Sequence, residues 1–289
     1  MKYFAFLILA TVLTCTTLAQ ETTKIYAQHL VDLELIQHTQ VAALTIYATV
    51  PKSLKKSAVA SAGSMTDQAI SVPELDSMSD TQLTQRISSG GKHLHTILPL
   101  LDVSGETIGT VVITLPYKSG DDSSALYKQS EQIRDELRRH VINVANLMDP
   151  VPYVANFPNS PYAQKLVDET MARHPELLVL AMHVATLSGD DYPIIASSIG
   201  RIGKKADSDD RQVIETGKSI YGAYGVSKTR FGIELPMFDI TGKLIGALSV
   251  GYSYKTGDDQ EALLKQAQHV EAELRAKIPS LSTLHNSID

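Results

Sequence analysis

The chain of 289 residues contains one cysteine, Cys15, and no tryptophan. Because Cys15 lies in an N-terminal segment that we expect to be removed, the mature chain would have no disulfide, thiol nucleophile, CxxCH haem attachment or thiolate metal site. A chain without disulfides has to be held together by its hydrophobic core, which is feasible for domains of ordinary size. Cysteine chemistry is therefore excluded as the basis of function.

Long apolar runs and a basic surface are also missing. After the signal-like N-terminus no stretch is apolar for long enough to span a bilayer, so the mature chain is expected to be soluble, with no transmembrane segment. The 26 lysines and arginines and the 32 aspartates and glutamates give a net charge of −6 and are spread evenly along the chain. Since there is no basic stripe, we do not expect a nucleic acid as a partner.

The first residues have the pattern of a secretory signal peptide. Lys2 is followed by the apolar run YFAFLILATVL and the small-residue stretch TCTTLAQ. The run is too short for a membrane span, so we predict a signal peptide over residues 1–19, cut after Ala19. An alternative makes Cys15 a lipidated N-terminus, although Thr14 before it is a poor fit to the small residue of a lipobox. Export without disulfides favours a periplasmic or secreted protein.

Most of the chain consists of one sequence that occurs twice. A shift of 137 residues aligns residues 98–141 with residues 235–278 without a gap, and 18 of the 44 positions are identical. The similarity begins earlier, because YAQHLVD at Tyr26 returns as YAQKLVD at Tyr162. A period of this length is too long for a solenoid repeat and indicates two globular domains, separated by the proline-rich segment DPVPYVANFPNSP. The two predicted domains cover residues 24–150 and 151–289.

Each copy is predicted to be a small α+β domain, in which an antiparallel sheet is flanked by an N-terminal and a C-terminal helix. The joints DVSGE and DITGK are typical of hairpins, since aspartate bonds its own turn and glycine takes the positive φ. In the last helix of the first copy, one face carries Leu126, Ser130, Ile133, Leu137 and Val141.

The GDD sequences before the two last helices are interpreted as helix starts rather than metal-binding carboxylates. Asp121 and Asp258 are the expected N-caps, and Glu261 is expected to complete a capping box. The segment 201–220 is polar and shows no helical or strand period.

A recurring motif consists of the strand LPLLD or LPMFD, the turn Asp-x-x-Gly and the sequence IGTVVI or IGALSV. It covers Leu98–Ile113 and Leu235–Val250. With the helix–strand order of both copies, it resembles the Cache branch of the PAS-like sensor domains. The resemblance implies extracellular modules that bind amino acids, carboxylates or amines and usually precede a membrane helix and a signalling output. This chain stops at Asp289 after the second copy, so a membrane-bound partner is expected to supply that output.

Motifs for catalysis, metals and cofactors are incomplete in the sequence. The segment TGKS lacks the leading glycine of a phosphate loop, because Gln212 stands there. His93 and His95 share a strand face, but their counterparts in the second copy are Arg230 and Gly232, which disfavours a metal site. We therefore expect no catalytic residues, no metal, no cofactor and no enzyme activity.

A ligand site is expected in the second copy, where polar and aromatic residues cluster. Arg230 and Glu234 share a strand face, and an arginine suits a carboxylate because its donors can bind both oxygens. Tyr221 and Tyr224 suit an amine through cation–π contact. The predicted ligand-binding residues are His183, Tyr192, Ser197, Arg201, Tyr221, Tyr224, Arg230 and Glu234.

An alternative places both tyrosines in a surface loop and pairs Arg230 with Glu234 in solvent. The middle of the first copy, SMTDQAISVPELDSMSDTQL, contains no tyrosine, arginine or histidine, which favours a structural role for that copy.

These observations favour an exported sensory protein with two Cache-like domains that binds a small carboxylate, amino acid or amine and passes the signal to a partner. A non-catalytic periplasmic interaction scaffold is the alternative. A secreted enzyme is less favoured, although catalytic residues can be scattered beyond motif recognition.

Overall fold

A computed structural model of the chain describes residues 24–63, 84–186, 191–225 and 227–285. The predicted signal peptide with Cys15, and the polar middle of the first copy, lie outside these residues. Within them, the model contains no helix whose length and apolar character would let it cross a membrane.

Residues 24–138, which we call the first unit, contain six strands and two helices in the parts that the structure describes, 24–63 and 84–138. These are β1 (Lys24–Ile25), α1 (Tyr26–Gln37), β2 (Ala43–Ala48), β3 (Ser57–Gly63), β4 (Thr84–Ile87), β5 (His93–Leu101), β6 (Thr107–Pro116) and α2 (Ser123–Arg138). A connection follows with α3 (Val144–Leu147) and β7 (Pro150–Val151). Because β1 pairs with β7, the start of the first unit is tied to this connection.

Residues 161–285, which we call the second unit, repeat the same order of long elements. These are α4 (Pro161–Arg173), β8 (Leu177–Val184), β9 (Ile194–Ser197), α5 (Ser208–Thr216), β10 (Ile220–Tyr224), β11 (Arg230–Phe238), β12 (Leu244–Ser253), α6 (Gln260–Arg275) and α7 (Leu281–His285).

Both units contain a five-stranded antiparallel sheet with the same topology. The strand order is β3-β2-β6-β5-β4 in the first unit and β9-β8-β12-β11-β10 in the second. Numbered along its own unit, each sheet therefore has the order 2-1-5-4-3. The predicted α+β organisation with two similar small units is confirmed, and the two matching hairpins belong to separate sheets.

The predicted hairpin turns form for the expected reason. Asp102 accepts hydrogen bonds through Oδ1 from the Ser104 and Glu106 backbone N–H groups, at 2.8 and 3.1 Å. Asp239 does the same between β11 and β12. The glycine of the first turn, Gly105, has a φ of +83°, which side chains rarely adopt.

One face of each sheet packs on the flanking helices. In the first unit, α2 buries Ser130, Ile133 and Leu137, which confirms the predicted helix face. In the second unit, Phe231, Ile233 and Leu235 of β11 are buried in one cluster with residues of α4 and α6. Burial of side chains of this size contributes about 1.5–3 kcal/mol each to folding.

The helix starts differ from the sequence prediction by one residue. The N-cap of α2 is Asp122 and that of α6 is Asp259, whereas Asp121 and Asp258 bond the backbone of the preceding turn. The expected capping box at Glu261 is wrong, because this carboxylate accepts a hydrogen bond from Tyr221. The GDD sequences nonetheless mark the starts of α2 and α6, as interpreted.

Helix α5 lies in the segment that showed no sequence period. It starts with a capping box, in which Asp207 accepts from the Asp210 N–H while the Asp210 carboxylate accepts from the Asp207 N–H. It ends at Gly217, which has a φ of +63°. Only one short side of this helix is buried, including Val213, so hydrophobic periodicity could not reveal it.

The two units contact each other directly. In the connection just after α2, the His140 ring N–H donates to the carbonyl oxygen of Ser198 at 2.8 Å. Val103 of the first unit packs with Val179 and Ile199 of the second. We call this contact region the junction.

Candidate functional site

The second sheet has a cavity of about 480 Å³ on the face opposite the α4–α6 core. Alternation along the strands decides which residues face it, since successive side chains point to opposite faces. On β11, Gly232 and Glu234 face the cavity, while Phe231 and Ile233 face the core. Helix α5 contributes Asp210 to the opposite wall.

Three glycines form the floor of this cavity. Gly222, Gly232 and Gly251 are neighbours across β10, β11 and β12 and carry no side chain to fill the space. A Cβ atom at Gly222 would meet nothing within 4 Å. At Gly232 it would lie 3.1 Å from ring atoms of Tyr224, so that ring lies against the sheet.

The first sheet has side chains at the matching positions. The counterparts of Gly232 and Gly251 are His95 and Thr114, which are cross-strand partners on β5 and β6. His95 Nδ1 and Thr114 Oγ1 are hydrogen-bonded at 2.9 Å, and both residues are buried. At these two positions the second unit therefore has glycines beneath the Tyr224 side chain, whereas the first unit has a hydrogen-bonded pair of side chains.

A cluster of titratable groups lies at one side of the cavity. His183 Nε2 lies 3.4 Å from Asp210 Oδ2, and both side chains are buried. The His183 Nδ1–H group donates to the Tyr192 carbonyl oxygen at 3.2 Å. On the sheet, the Ser249 hydroxyl donates to Glu234 Oε2 at 2.6 Å. The carboxyl groups of Asp210 and Glu234 are themselves hydrogen-bonded, which requires a proton between them.

Burial dominates the protonation of this cluster. It raises the pKa of Glu234 well above its usual range, and the charge of Asp210 adds to this effect while the Ser249 hydrogen bond opposes it. Burial also raises the pKa of Asp210, against the opposing effect of His183. It lowers the pKa of His183, although Asp210 favours the charged imidazolium. Burial therefore favours the protonated acid at both carboxyl groups, and more strongly at Glu234 than at Asp210.

Tyrosines and cations form the other walls. Tyr221 and Tyr224 are partly exposed, and the Tyr221 hydroxyl donates to Glu261 at 2.9 Å. Arg201 and Lys204 lie at the cavity too, and Arg201 Nε donates to Asp149 Oδ2 at 2.8 Å. The cavity wall is thereby hydrogen-bonded to the connection between the units.

The structure brings five of the eight predicted residues to the cavity. These are His183, Arg201, Tyr221, Tyr224 and Glu234. The alternative that pairs Arg230 with Glu234 in solvent does not hold, because Glu234 bonds Ser249 and Asp210 at the cavity wall.

The other three predicted residues have different surroundings. Arg230 is buried at the junction, where Nη1 donates to the Ile142 carbonyl oxygen at 2.7 Å and Nη2 lies 3.5 Å from Asp102 Oδ2. Tyr192 contributes its backbone carbonyl to His183. The Ser197 hydroxyl accepts from the backbone N–H of Ile199.

Several cavity residues were not predicted from the sequence. Asp207 and Asp210 could have been found from the capping box, because DSDD places an aspartate at the N-cap and another at N3. Gly232 and Gly251 could have been found as glycines inside strands, because such glycines often mark a place where a ligand or another part of the chain approaches the sheet closely. Ser249 carries no such signal, since its role depends on being opposite Glu234.

No protein-family model matches the chain, and no curated protein sequence is significantly similar to it. Some solved structures are distantly similar. The inducer-binding domain of the PobR transcription factor from Acinetobacter, in complex with 3-hydroxybenzoic acid, is 11% identical, with 42% of this chain and 98% of that chain covered and a TM-score of 0.30.

Two GAF domains are similar at the same level. The nlh2 GAF domain from A. aeolicus is 13% identical, with 43% of this chain and 83% of that chain covered and a TM-score of 0.29. The cofactor-binding GAF domain of the nutrient sensor CodY from Clostridium difficile is 10% identical, with 54% and 99% covered and a TM-score of 0.25. These likenesses are too distant to assign a function, so what this chain binds has to be inferred from its own residues.

Proposed function

We propose that this chain is a non-catalytic sensory protein that binds a small amine-bearing metabolite, such as an amino acid or a simple amine, in the cavity of the second unit. The observation that carries the proposal is the proton-sharing pair of Asp210 and Glu234 beside a floor of glycines. The volume of about 480 Å³ lies within the usual range of small-molecule sites.

The chemistry of the cavity favours an ammonium group. An ammonium group donates three hydrogen bonds, and it can replace the proton that Asp210 and Glu234 share. The Tyr224 ring already lies between Gly232 and the Arg230 guanidinium, 5.4 Å from the ring centroid, so Tyr221 is the tyrosine that offers a ligand cation–π contact, worth about 0.5–2 kcal/mol. Arg201 and Lys204 at the cavity wall suit the carboxylate of an amino acid.

A ligand with only a carboxylate is less favoured. Arg230, the residue expected to bind it, is engaged with Ile142 and Asp102 at the junction. A carboxylate placed beside Asp210 and Glu234 would add a negative charge to a site that already shares a proton to relieve repulsion.

Sensing rather than catalysis is favoured by the hydrogen bonds of the cluster. The Ser249 hydroxyl donates to Glu234 and not to His183, so it is not arranged as an activated nucleophile. Arg201 links the cavity wall to Asp149 of the connection, which offers a path from ligand to junction. Export to the periplasm, domains over 24–150 and 151–289, a Cache-type fold and a membrane-bound signalling partner belong to the same proposal.

The test is a melting-temperature screen of the mature chain with amino acids, simple amines and matched carboxylates, followed by calorimetric titration of the best ligand. An amine should raise the melting temperature, because a ligand stabilises by RT ln(1 + [L]/Kd). Titration in buffers of different ionisation enthalpy should show proton release, since the ammonium group displaces the shared proton.

Variants locate the site. Glu234→Gln should weaken binding by about 1.5–3 kcal/mol, through the loss of a charge-assisted hydrogen bond. Gly222→Val should weaken it by about 1–3 kcal/mol, because a valine would occupy ligand space. Glu215→Gln, an exposed change on α5, is the matched control. If carboxylates without an amino group bind and amines do not, the proposed ligand class is wrong. If no compound in the screen changes the melting temperature, the scaffold alternative is favoured.

A further inference from the structure

Helices α1 and α2 bring together three side chains that the cavity of the second unit does not use. Glu34 and His38 are four residues apart on or just after α1, so they lie on one face of the helix, a turn apart. Glu136 comes from α2, which packs beside α1. Spacing along the chain does not reveal this group, because Glu136 is 98 residues away from His38.

The three side chains converge at the spacing of metal ligands. His38 Nε2 lies 2.5 Å from Glu136 Oε2 and 3.4 Å from Glu34 Oε2. One ligand atom from each of the three lies within 4.8 Å of the others. Tetrahedral ligands bound to zinc at about 2.0–2.2 Å lie roughly 3.4 Å from one another. The distance from His38 to Glu34 matches this separation, whereas His38 and Glu136 are directly hydrogen-bonded and would move apart to bind an ion.

A second observation points to a cation. Glu34 is 5% exposed, and among the described residues its Oε2 atom has no hydrogen-bond partner. A buried acceptor without a partner is costly and calls for an explanation such as an ion.

We propose that Glu34, His38 and Glu136 bind one Zn²⁺ ion that clamps α1 to α2. An imidazole nitrogen with two carboxylate oxygens suits zinc and its first-row neighbours, whereas Ca²⁺ and Mg²⁺ prefer oxygen ligands alone. The Glu136 side chain is 36% exposed, so water can reach the fourth position. Gln132 donates to Glu136 Oε1 at 2.8 Å and orients this ligand from outside.

The second unit provides an internal comparison. The counterparts of Glu34, His38 and Glu136 are Thr170, His174 and Glu273. His174 Nε2 still contacts Glu273 Oε2 at 3.2 Å, but the third carboxylate is missing and Arg173 lies 3.4 Å from Glu273. A histidine–glutamate pair is therefore common to both units, while the three-ligand set is specific to the first.

The experiment is a titration of the mature chain, treated with a chelator and desalted, with Zn²⁺, Co²⁺, Mg²⁺ and Ca²⁺. Calorimetry should show one strong Zn²⁺ site, and Co²⁺ should give the visible absorption of a protein-bound ion. Glu34→Thr, which reproduces the second unit, and His38→Ala should each weaken Zn²⁺ binding by more than about tenfold, since even the loss of an outer partner costs about 10–100-fold.

His174→Ala is the control and should leave the strong site unchanged. Glu34→Gln keeps the shape of the side chain, so it tests whether the Glu34 carboxylate binds the ion even if Glu34→Thr fails to fold. The proposal is overturned if the unaltered chain does not bind Zn²⁺, or if Glu34→Gln and His38→Ala bind Zn²⁺ as tightly as the unaltered chain does. Preference for Ca²⁺ or Mg²⁺ over Zn²⁺ would overturn the assignment of the ion.

Discussion

At the scale of single residues, two cross-strand positions distinguish the cavity of the second sheet from the corresponding face of the first. Gly232 and Gly251 let the Tyr224 side chain lie against the strands, whereas His95 and Thr114 occupy these positions with their own side chains and bond each other. Both pairs occupy the same place in the same topology. The two units therefore share one topology and differ at a few side chains on this face of the sheet.

The shifted pKa values of Glu234 and His183 predict how the stability of the fold depends on pH. The folded pKa of Glu234 is raised above the unfolded value of about 4.3, so the fold favours the protonated acid. This contribution is fully present below the unfolded pKa and is lost as the pH rises through the folded pKa. His183 acts in the opposite sense, because its lowered pKa costs stability as the pH falls below about 6.5.

Glu234→Gln isolates the first effect, because His183 and Asp210 remain. Relative to the unaltered chain, this variant should gain unfolding free energy as the pH rises from 5 to 9. Urea denaturation followed by far-UV circular dichroism measures the difference. Glu215→Gln, which is exposed, should follow the unaltered chain at each pH. Parallel profiles for Glu234→Gln and the unaltered chain would show that Glu234 is not held protonated by the fold.

At the scale of elements, sequence patterns correctly predicted the features that depend on hydrogen bonds and packing between residues close in the chain. The two hairpins formed where Asp-x-x-Gly stands, because the aspartate carboxylate binds its own turn. The face of α2 followed from its apolar spacing. Helix α5 was missed because its start is encoded by the capping box of Asp207 and Asp210 rather than by apolar residues.

The site was predicted less completely than the fold. Alternation correctly placed Arg230 and Glu234 on one strand face, but it could not show that the end carrying Arg230 abuts the first unit. The cluster of Glu34, His38 and Glu136 depends on how α1 and α2 pack, which no spacing within one helix reveals.

The element-scale prediction concerns the start of α5. Asp207→Ala removes the acceptor for the Asp209 and Asp210 N–H groups and should lower the unfolding free energy by about 0.5–2 kcal/mol. Because Asp210 is positioned by this cap, ligand binding in the cavity should weaken as well. Asp122→Ala removes the cap of α2 and should cost similar stability without affecting binding. Equal effects of both variants on ligand affinity would refute the positioning role.

At the scale of the whole molecule, the two units are joined by buried polar contacts. Arg230 of the second unit lies between the Ile142 carbonyl oxygen and Asp102, which is 1% exposed and also shapes the first hairpin turn. Arg201 contacts both the cavity and Asp149. The cavity of the second unit is therefore linked through the single residue Arg201 to the connection between the units.

The last prediction tests whether this junction holds the units together. Arg230→Ala leaves the buried Asp102 carboxylate and the Ile142 carbonyl oxygen without this donor, and breaking a buried ion pair costs about 3–5 kcal/mol. We expect a loss of this size in urea denaturation, together with faster proteolysis between the units. Arg211→Ala is the control, because Arg211 pairs with Asp191 at 3.8 Å on the surface and such pairs contribute about 0–1 kcal/mol. Arg230→Met preserves apolar packing and should recover part of the loss, since the side chain stem also contributes. If Arg230→Ala is no more destabilising than Arg211→Ala, the units do not depend on this contact and a ligand would have to signal through another route.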